Sequence, residues 1–278
     1  TSKSAVSRRF VAATEETLTT MMSRDLSAIS LCAVVIDGIH VGEHLVVVAL
    51  GIDESGEKHV LGLHEGATEN ESVCAALIED LVARGVRSRA MLFVIDGGKA
   101  LALAIRKSFG RRALIQRCQV HKRWNVEGHL PESMKKQVGR TMTAAYRCGN
   151  AERAKRMLNA LARQLEKKHP SAAASLREGL DETLTVMRFK LPHFLERTLS
   201  TTNSIEFVNG RIRKTTHNVT KWSSGSMALR WVAVALLEAS KTFRKLRGYK
   251  GMPILVAALR AHDQHLTPST IDPSKRAA

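Results

Sequence analysis

The sequence predicts an α/β protein with a mixed five-stranded sheet flanked by helices and an all-α insertion ahead of a late helix that carries a third acid. Three observations predict it. Residues 31–38 and 91–98 are both continuous apolar runs of strand formers that end in an acid followed by glycine, Val35-Ile36-Asp37-Gly38 and Val94-Ile95-Asp96-Gly97. Between them lie two more strand-like runs and one amphipathic helix, so the chain returns to the sheet by a crossover. From Pro131 to about Arg188 the strand signal vanishes and Ala, Leu, Lys, Arg and Glu dominate.

A chain of 278 residues can bury a sizeable core, as one large domain with an insertion or as two domains. Its formal charge of +17 is spread along the chain and points to a polyanionic partner. Nucleic acid is favoured over membrane, because there is neither an apolar run of spanning length nor a basic amphipathic helix with an aromatic face. A basic but otherwise ordinary enzyme is the plainer alternative. Cys32, Cys74, Cys118 and Cys148 form no C-x-x-C, which fits a reduced, cytoplasmic setting. The chain opens at Thr1 without an initiator Met or a signal peptide, so the expectation is that its amino end is incomplete.

Residues 1–24 read as a polar helix whose Ser4 to Phe10 start is rich in hydroxyls and arginine, as in the second helix of a helix-turn-helix. Residues 31–38 form the first strand. Alone, Asp37 is as well explained as a turn cap, and Gly38 would let a ligand approach the backbone. Strands at 44–51 and 59–63, joined through Asp53, Glu54, Ser55 and Gly56, make an antiparallel meander with its acids at a solvated tip. A helix over 68–85 is expected from a Thr68/Glu71 capping box, an apolar stripe of Val73, Leu77, Ile78 and Leu81, and a stop at Gly85. The fourth strand then runs parallel to one already in the sheet. If it lies beside the first, Asp37 and Asp96 emerge together, and two such carboxylates call for a divalent cation, with magnesium or manganese matching hard oxygen ligands.

A helix over 99–108 and a short fifth strand over 113–116 follow. Around them Arg106, Lys107, Arg111, Arg112, Arg117, Lys122 and Arg123 accumulate, as a solvated face or a phosphate-facing one. Cys118 and His121 form one C-x-x-H, half of a zinc site with no second pair, and read as a structural or DNA-facing pair at the sheet edge. In the insertion, Met134, Val138, Met142 and Ala145, then Ala154, Met157, Leu158, Leu161 and Leu165, keep helical spacing, with Pro170 and Pro192 as punctuation.

Residues 201–213 are the most specific stretch. Ile205, Val208 and Ile212 form the inward stripe, and Asn203, Glu206, Asn209, Gly210 and Arg213 share the flank beside it. From Asn203 to Arg247 nine Lys or Arg stand against Glu206 and Glu238, so this segment should face phosphates. A loop at 222–225 leads into a helix over 226–244 with Leu229, Val232, Ala233, Leu236 and Leu237 inward, and beyond His262 a polar tail contains Pro268 and Pro273.

The two acid-glycine strands, Gln116-Arg117-Cys118-Gln119-Val120-His121 with Asn125, and Thr201-Thr202-Asn203-Ser204-Ile205-Glu206 with Asn209 and Arg213 together resemble the Mutator-type family of bacterial insertion-sequence transposases, from about Ser4 to His262. The resemblance implies a ribonuclease H-like fold and a DDE triad of Asp37, Asp96 and Glu206, both catalytic and metal-ligating. It implies two Mg2+ or Mn2+ ions about 3.5–4 Å apart, cleavage at transposon ends, and strand transfer by the freed 3′-hydroxyl. Cys118 and His121 would be the family's C-x-x-H pair. The expected organisation is a remnant of an amino-terminal DNA-binding region at 1–26, a catalytic domain split into 27–126 and 199–262 by an insertion at 127–198, and a flexible tail at 263–278. The DNA-binding residues expected are Arg117, His121, Arg123, Asn203, Asn209, Arg211, Arg213 and Lys214. Partners would be transposon-end and target DNA, bound by a homodimer or higher oligomer in the cytoplasm with the nucleoid, and no membrane. A metal-dependent nuclease or resolvase and a truncated, non-catalytic DNA-binding remnant remain open alternatives.

Overall fold

The computed structural model of the chain describes residues 2–66 and 70–266. Helix α1 (Lys3–Ser23) precedes a meander of β1 (Leu31–Val41), β2 (His44–Asp53) and β3 (Lys58–Gly66). Helix α2 (Glu71–Ala83), β4 (Met91–Ile95), α3 (Lys99–Phe109) and β5 (Ala113–Arg117) complete a sheet of order β3-β2-β1-β4-β5. The meander is antiparallel, and β1, β4 and β5 are parallel to one another. The five-stranded mixed sheet with its crossover is thus the one the sequence patterns predict.

The strands are apolar throughout because both sheet faces are covered. Val34 and Ile36 pack with Leu77, Ile78 and Ile105 of α2 and α3, whereas Ala33 and Val35 pack with Ile205, Val232 and Leu255 of later helices. Those later helices are α10 (Asn203–Thr216), α11 (Gly225–Ser240) and α12 (Met252–Leu266). Ahead of them come α4 (Gln119–Gly128), α5 (Glu132–Tyr146), α6 (Ala151–Glu166), α7 (Pro170–Arg177), α8 (Thr185–Arg188) and α9 (His193–Leu199). Most of these build a separate core of Val138, Met142, Leu158, Leu161, Leu176 and Leu184. No helix among the described residues is long and apolar enough to cross a membrane.

Five details differ from the sequence reading. The first strand does not stop at its acid but continues to Val41, because Asp37 pairs with Val48 and the hairpin closes only at Gly42, where φ is +61°. Gly38 does not open the backbone to a ligand, since a Cβ there would lie 3.0 Å from Leu45 Cδ1. The expected capping box at Thr68 falls outside the described residues, and α2 is capped by Asn70, whose side chain accepts from the Val73 N–H. Helix α11 ends at Ser240, not Arg244. Of the flexible tail expected at 263–278, residues 263–266 are instead the last turn of α12, which buries Leu255, Val256 and Leu259, and the rest lies outside the described residues.

The basic run around β5 is mostly used inside the protein. Gln116, fully buried, donates from Nε2 to the Thr183 carbonyl at 3.0 Å and accepts from the Val186 N–H at 2.9 Å. Lys122 is also fully buried, and its ammonium bonds the carbonyls of Ser175 and Glu178 at the C-terminal end of α7. Burial pulls its pKa down to about 8. Arg106 pairs with Glu182, and Arg112 with Asp263. These contacts fasten the helical insertion and α12 to the sheet edge.

Candidate functional site

The register of the sheet brings two acids together. In the parallel ladder Ile36 is the partner of Ile95, the last pair of β1 and β4. Asp37, still within β1, and Asp96, just past β4, directly follow that pair, so both lie where the parallel ladder ends, at the edge where α/β sheets keep their sites. Asp96 turns immediately: its Oδ1 accepts from the Gly98 N–H at 3.0 Å, and Gly97 takes φ +117°. A side chain at Gly97 is excluded twice over, since a Cβ there would lie 2.0 Å from Arg117 Nε.

Helix α10 supplies the third acid. Ile205, Val208 and Ile212 are buried against the sheet, and Asn209, 3% exposed, lies on the same side and donates from Nδ2 to Asp37 Oδ2 at 3.0 Å. Glu206 sits in the first turn of that helix, where a negative charge is favoured by the helix dipole. Burial is the main reason that the Asp37 carboxyl is pushed up to about 6, reinforced by repulsion from Asp96 and Glu206 and opposed by His121. Asp37 therefore feels the charges of both Asp96 and Glu206.

The ligand oxygens of these three acids do not all lie within 4.8 Å of one another. Among the described residues the group that meets that spacing is Asp53, Glu57 and His59 at the tip of the meander. There Asp53 Oδ1 already accepts from the Ser55 and Glu57 N–H groups, Oδ2 faces His59 Nε2 at 2.8 Å, and Glu57 faces Lys245. That cluster is turn chemistry.

Cys118, at the N-cap of α4, and His121, in its first turn, stand beside the acids. A hydrogen bond with Cys118 raises His121 to about 9 against the effect of burial, with Asp37 and Asp96 adding to the rise. Burial alone would push the Cys118 thiol up, but hydrogen bonds from His121 and Thr202 outweigh it and hold the thiol below its ordinary value. The residue that joins this pair to α10 is Thr202, which sequence reasoning missed. Its Oγ1 lies 3.3 Å from Glu206 Oε1, 3.3 Å from His121 Nδ1 and 3.5 Å from Cys118 Sγ. Thr202 occupies the N-cap of α10 yet makes no side-chain cap, its hydroxyl being turned to the acids instead. A threonine directly before a predicted helix was the available signal, and it reads as a cap until the tertiary contacts are known.

The residues expected to meet DNA fall into three groups by burial. Arg117 and Asn209 are buried, Arg117 against Glu178 and Gly97 and Asn209 against Asp37, so neither presents its side chain to a duplex. His121 is half-buried in the Thr202 and Cys118 cluster, and half-buried Arg123 lies 3.4 Å from Glu127. Asn203, Arg211, Arg213 and Lys214 are exposed on α10, with Arg211 stacked over the exposed ring of Phe207.

The profile described as transposase, Mutator family, matches residues 1–245. A probable transposase for an insertion sequence element of Corynebacterium diphtheriae is 29% identical over 217 residues, which are 77% of this chain and 62% of that protein. The transposase of IS6120 from Mycolicibacterium smegmatis is 29% identical over 245 residues, 86% of this chain and 73% of that one. The transposase of IS406 from Burkholderia multivorans is 31% identical over 200 residues, 69% of this chain and 49% of the relative.

Proposed function

From the premise that the chain belongs to the Mutator family of transposases, we propose that it forms a ribonuclease H-like catalytic unit that cuts DNA at the ends of an insertion sequence and joins the freed 3′-hydroxyl to a target. Asp37, Asp96 and Glu206 are its catalytic residues and the ligands of two Mg2+ or Mn2+ ions. The observation that carries this reading is the parallel register of Ile36 with Ile95, which sets the two aspartates side by side. The protein works on DNA as a homodimer or higher oligomer, in the cytoplasm with the nucleoid.

The residues present fit such ions. Three carboxylates supply hard oxygen donors, and their mutual repulsion is what a divalent charge relieves. Asn209 commits its Nδ2 to Asp37, while its Oδ1 is buried without a hydrogen-bond partner in the protein, an oxygen free for an ion's water shell. Bound there, the ions would supply Lewis acidity, which activates water or a 3′-hydroxyl and stabilises the leaving oxygen. The chain's own groups hold the ligands in place: Asn209 orients Asp37, the Gly98 N–H fixes Asp96, and Thr202 steadies Glu206. His121, protonated at neutral pH, offsets part of the negative charge beside Asp37 and Asp96. Outside this centre, the exposed cations of α10 supply phosphate contacts that position DNA without reading its sequence.

Asp96→Asn and Glu206→Gln should abolish divalent-dependent nicking and joining of end-containing DNA while leaving DNA binding intact. Strand transfer retained by either variant overturns the assignment. Pre-cleaved ends separate a transposase from a nuclease or resolvase of the same fold, because only the former joins them to a second duplex.

A further inference from the structure

On the insertion side of α4 lies a cavity of about 610 Å³, enclosed by α4, α5, α9 and the residues that lead into α10. Its lining is apolar in one part and mainly cationic and polar in another, where Glu196 contributes a carboxylate beside Arg197. Val120, Tyr146 and Leu191 contribute apolar surface, and Arg147, Lys190 and Arg197 contribute exposed cations. Among the described residues none of these three cations is paired with a carboxylate, in contrast to the basic run around β5. Lys190 takes φ +52°, left-handed backbone that a lysine rarely adopts and that is retained where neighbouring structure or function demands it. The lining includes Asn203, three residues before Glu206 on α10.

An apolar surface for a planar ring next to three unpaired cations matches a nucleobase with its phosphates. The volume falls within the range of about 300–1,000 Å³ that suits small ligands. It excludes a duplex, whose major groove alone is about 12 Å wide. Inorganic phosphate would leave the apolar part unused, and a neutral lipid or uncharged peptide would leave the cations unmatched. We propose that this cavity receives one unpaired nucleotide from the DNA end held at Asp37, Asp96 and Glu206, its base against Val120, Tyr146 and Leu191 and its phosphates on Arg147, Lys190 and Arg197. The inference rests on the catalytic reading of those acids for the identity of the strand, and it adds that the end is opened before or during cleavage.

The test is a binding measurement on the full chain in EDTA. One fluorescent probe is a blunt duplex, and the other is the same duplex with a short unpaired 3′ tail carrying 2-aminopurine at its first position. The tailed duplex should bind about tenfold more tightly, the scale of one stacked base, and 2-aminopurine emission should fall on binding. Both effects should disappear in the double variant Arg147→Gln/Arg197→Gln, which alters only exposed side chains, and in Thr143→Trp, which fills the cavity from α5. Equal affinity for the two probes overturns the proposal. So does a tail preference that survives both variants, or a double variant that weakens blunt and tailed probes alike. Because no divalent ion is present, the result is independent of nicking: tail preference in a protein that does not cleave supports the cavity and counts only against the catalytic reading.

Discussion

Replacing Asp37 with asparagine should stabilise the metal-free protein even as it removes catalysis. In the folded protein burial, with repulsion from Asp96 and Glu206, moves the Asp37 carboxyl from its ordinary 3.8 to about 6. At about 1.36 kcal/mol per unit, this is a penalty of about 3 kcal/mol for holding the group ionised at neutral pH. The sign follows from the direction of the shift. The folded state binds this proton more tightly than the unfolded chain, so the penalty is absent below about 3.8, grows between there and about 6, and is complete above. An asparagine keeps an oxygen that can accept from Asn209 Nδ2 and carries no charge. In urea titrations with EDTA at pH 7.5, Asp37→Asn should therefore be more stable than the unsubstituted protein by about 3 kcal/mol, and the gap should narrow as the pH falls to 5. Adding Mg2+ should stabilise the unsubstituted protein and leave the variant nearly unchanged. A variant that is less stable at pH 7.5, or a gap that does not respond to pH, would refute the electrostatic account of the site.

Three other substitutions probe its surroundings. Thr202→Val keeps the buried shape but removes the hydroxyl shared by Glu206 and His121, and it should cost about 1–3 kcal/mol in unfolding titrations and weaken Mn2+ binding by roughly tenfold or more in calorimetry. Lys122→Met should cost about 3 kcal/mol, because the carbonyls of Ser175 and Glu178 lose a charged donor, and limited proteolysis should then cut first within the helical insertion. Gly210→Ala should raise stability by about 1 kcal/mol in thermal melts, since Gly210 lies within α10 and a Cβ there meets nothing within 4 Å.

Much of the fold was legible because it depends on local pattern. The apolar runs at 31–38 and 91–98, the turn chemistry at Asp53 to Gly56 and the helical spacing of Leu158, Leu161 and Leu165 are periodic signals that the matching elements reproduce. The side chains of the basic run were harder to read. Arg117, Lys122 and Arg123 look alike in sequence, yet the first two are buried where insertion and sheet meet, a role set by Glu178 and Ser175 more than 50 residues away. A cation's partner is a long-range fact, so charge alone suggested DNA where the chain had an internal use.

By itself the sequence determined the strand and helix types, the recurrence of an acid-glycine ending, and a positive charge that is spread along the chain and points to an anionic partner. Only the tertiary structure decided that Ile36 stands beside Ile95, that Asn209 faces Asp37 and not solvent, and that the Thr202 hydroxyl serves Glu206 in place of its own helix. Periodicity is a property of neighbouring residues and survives in the linear chain. Register and side-chain partnership are set by how separate elements pack, and Asp37 comes within electrostatic reach of Asp96 and Glu206 only when β1, β4 and α10 have packed together.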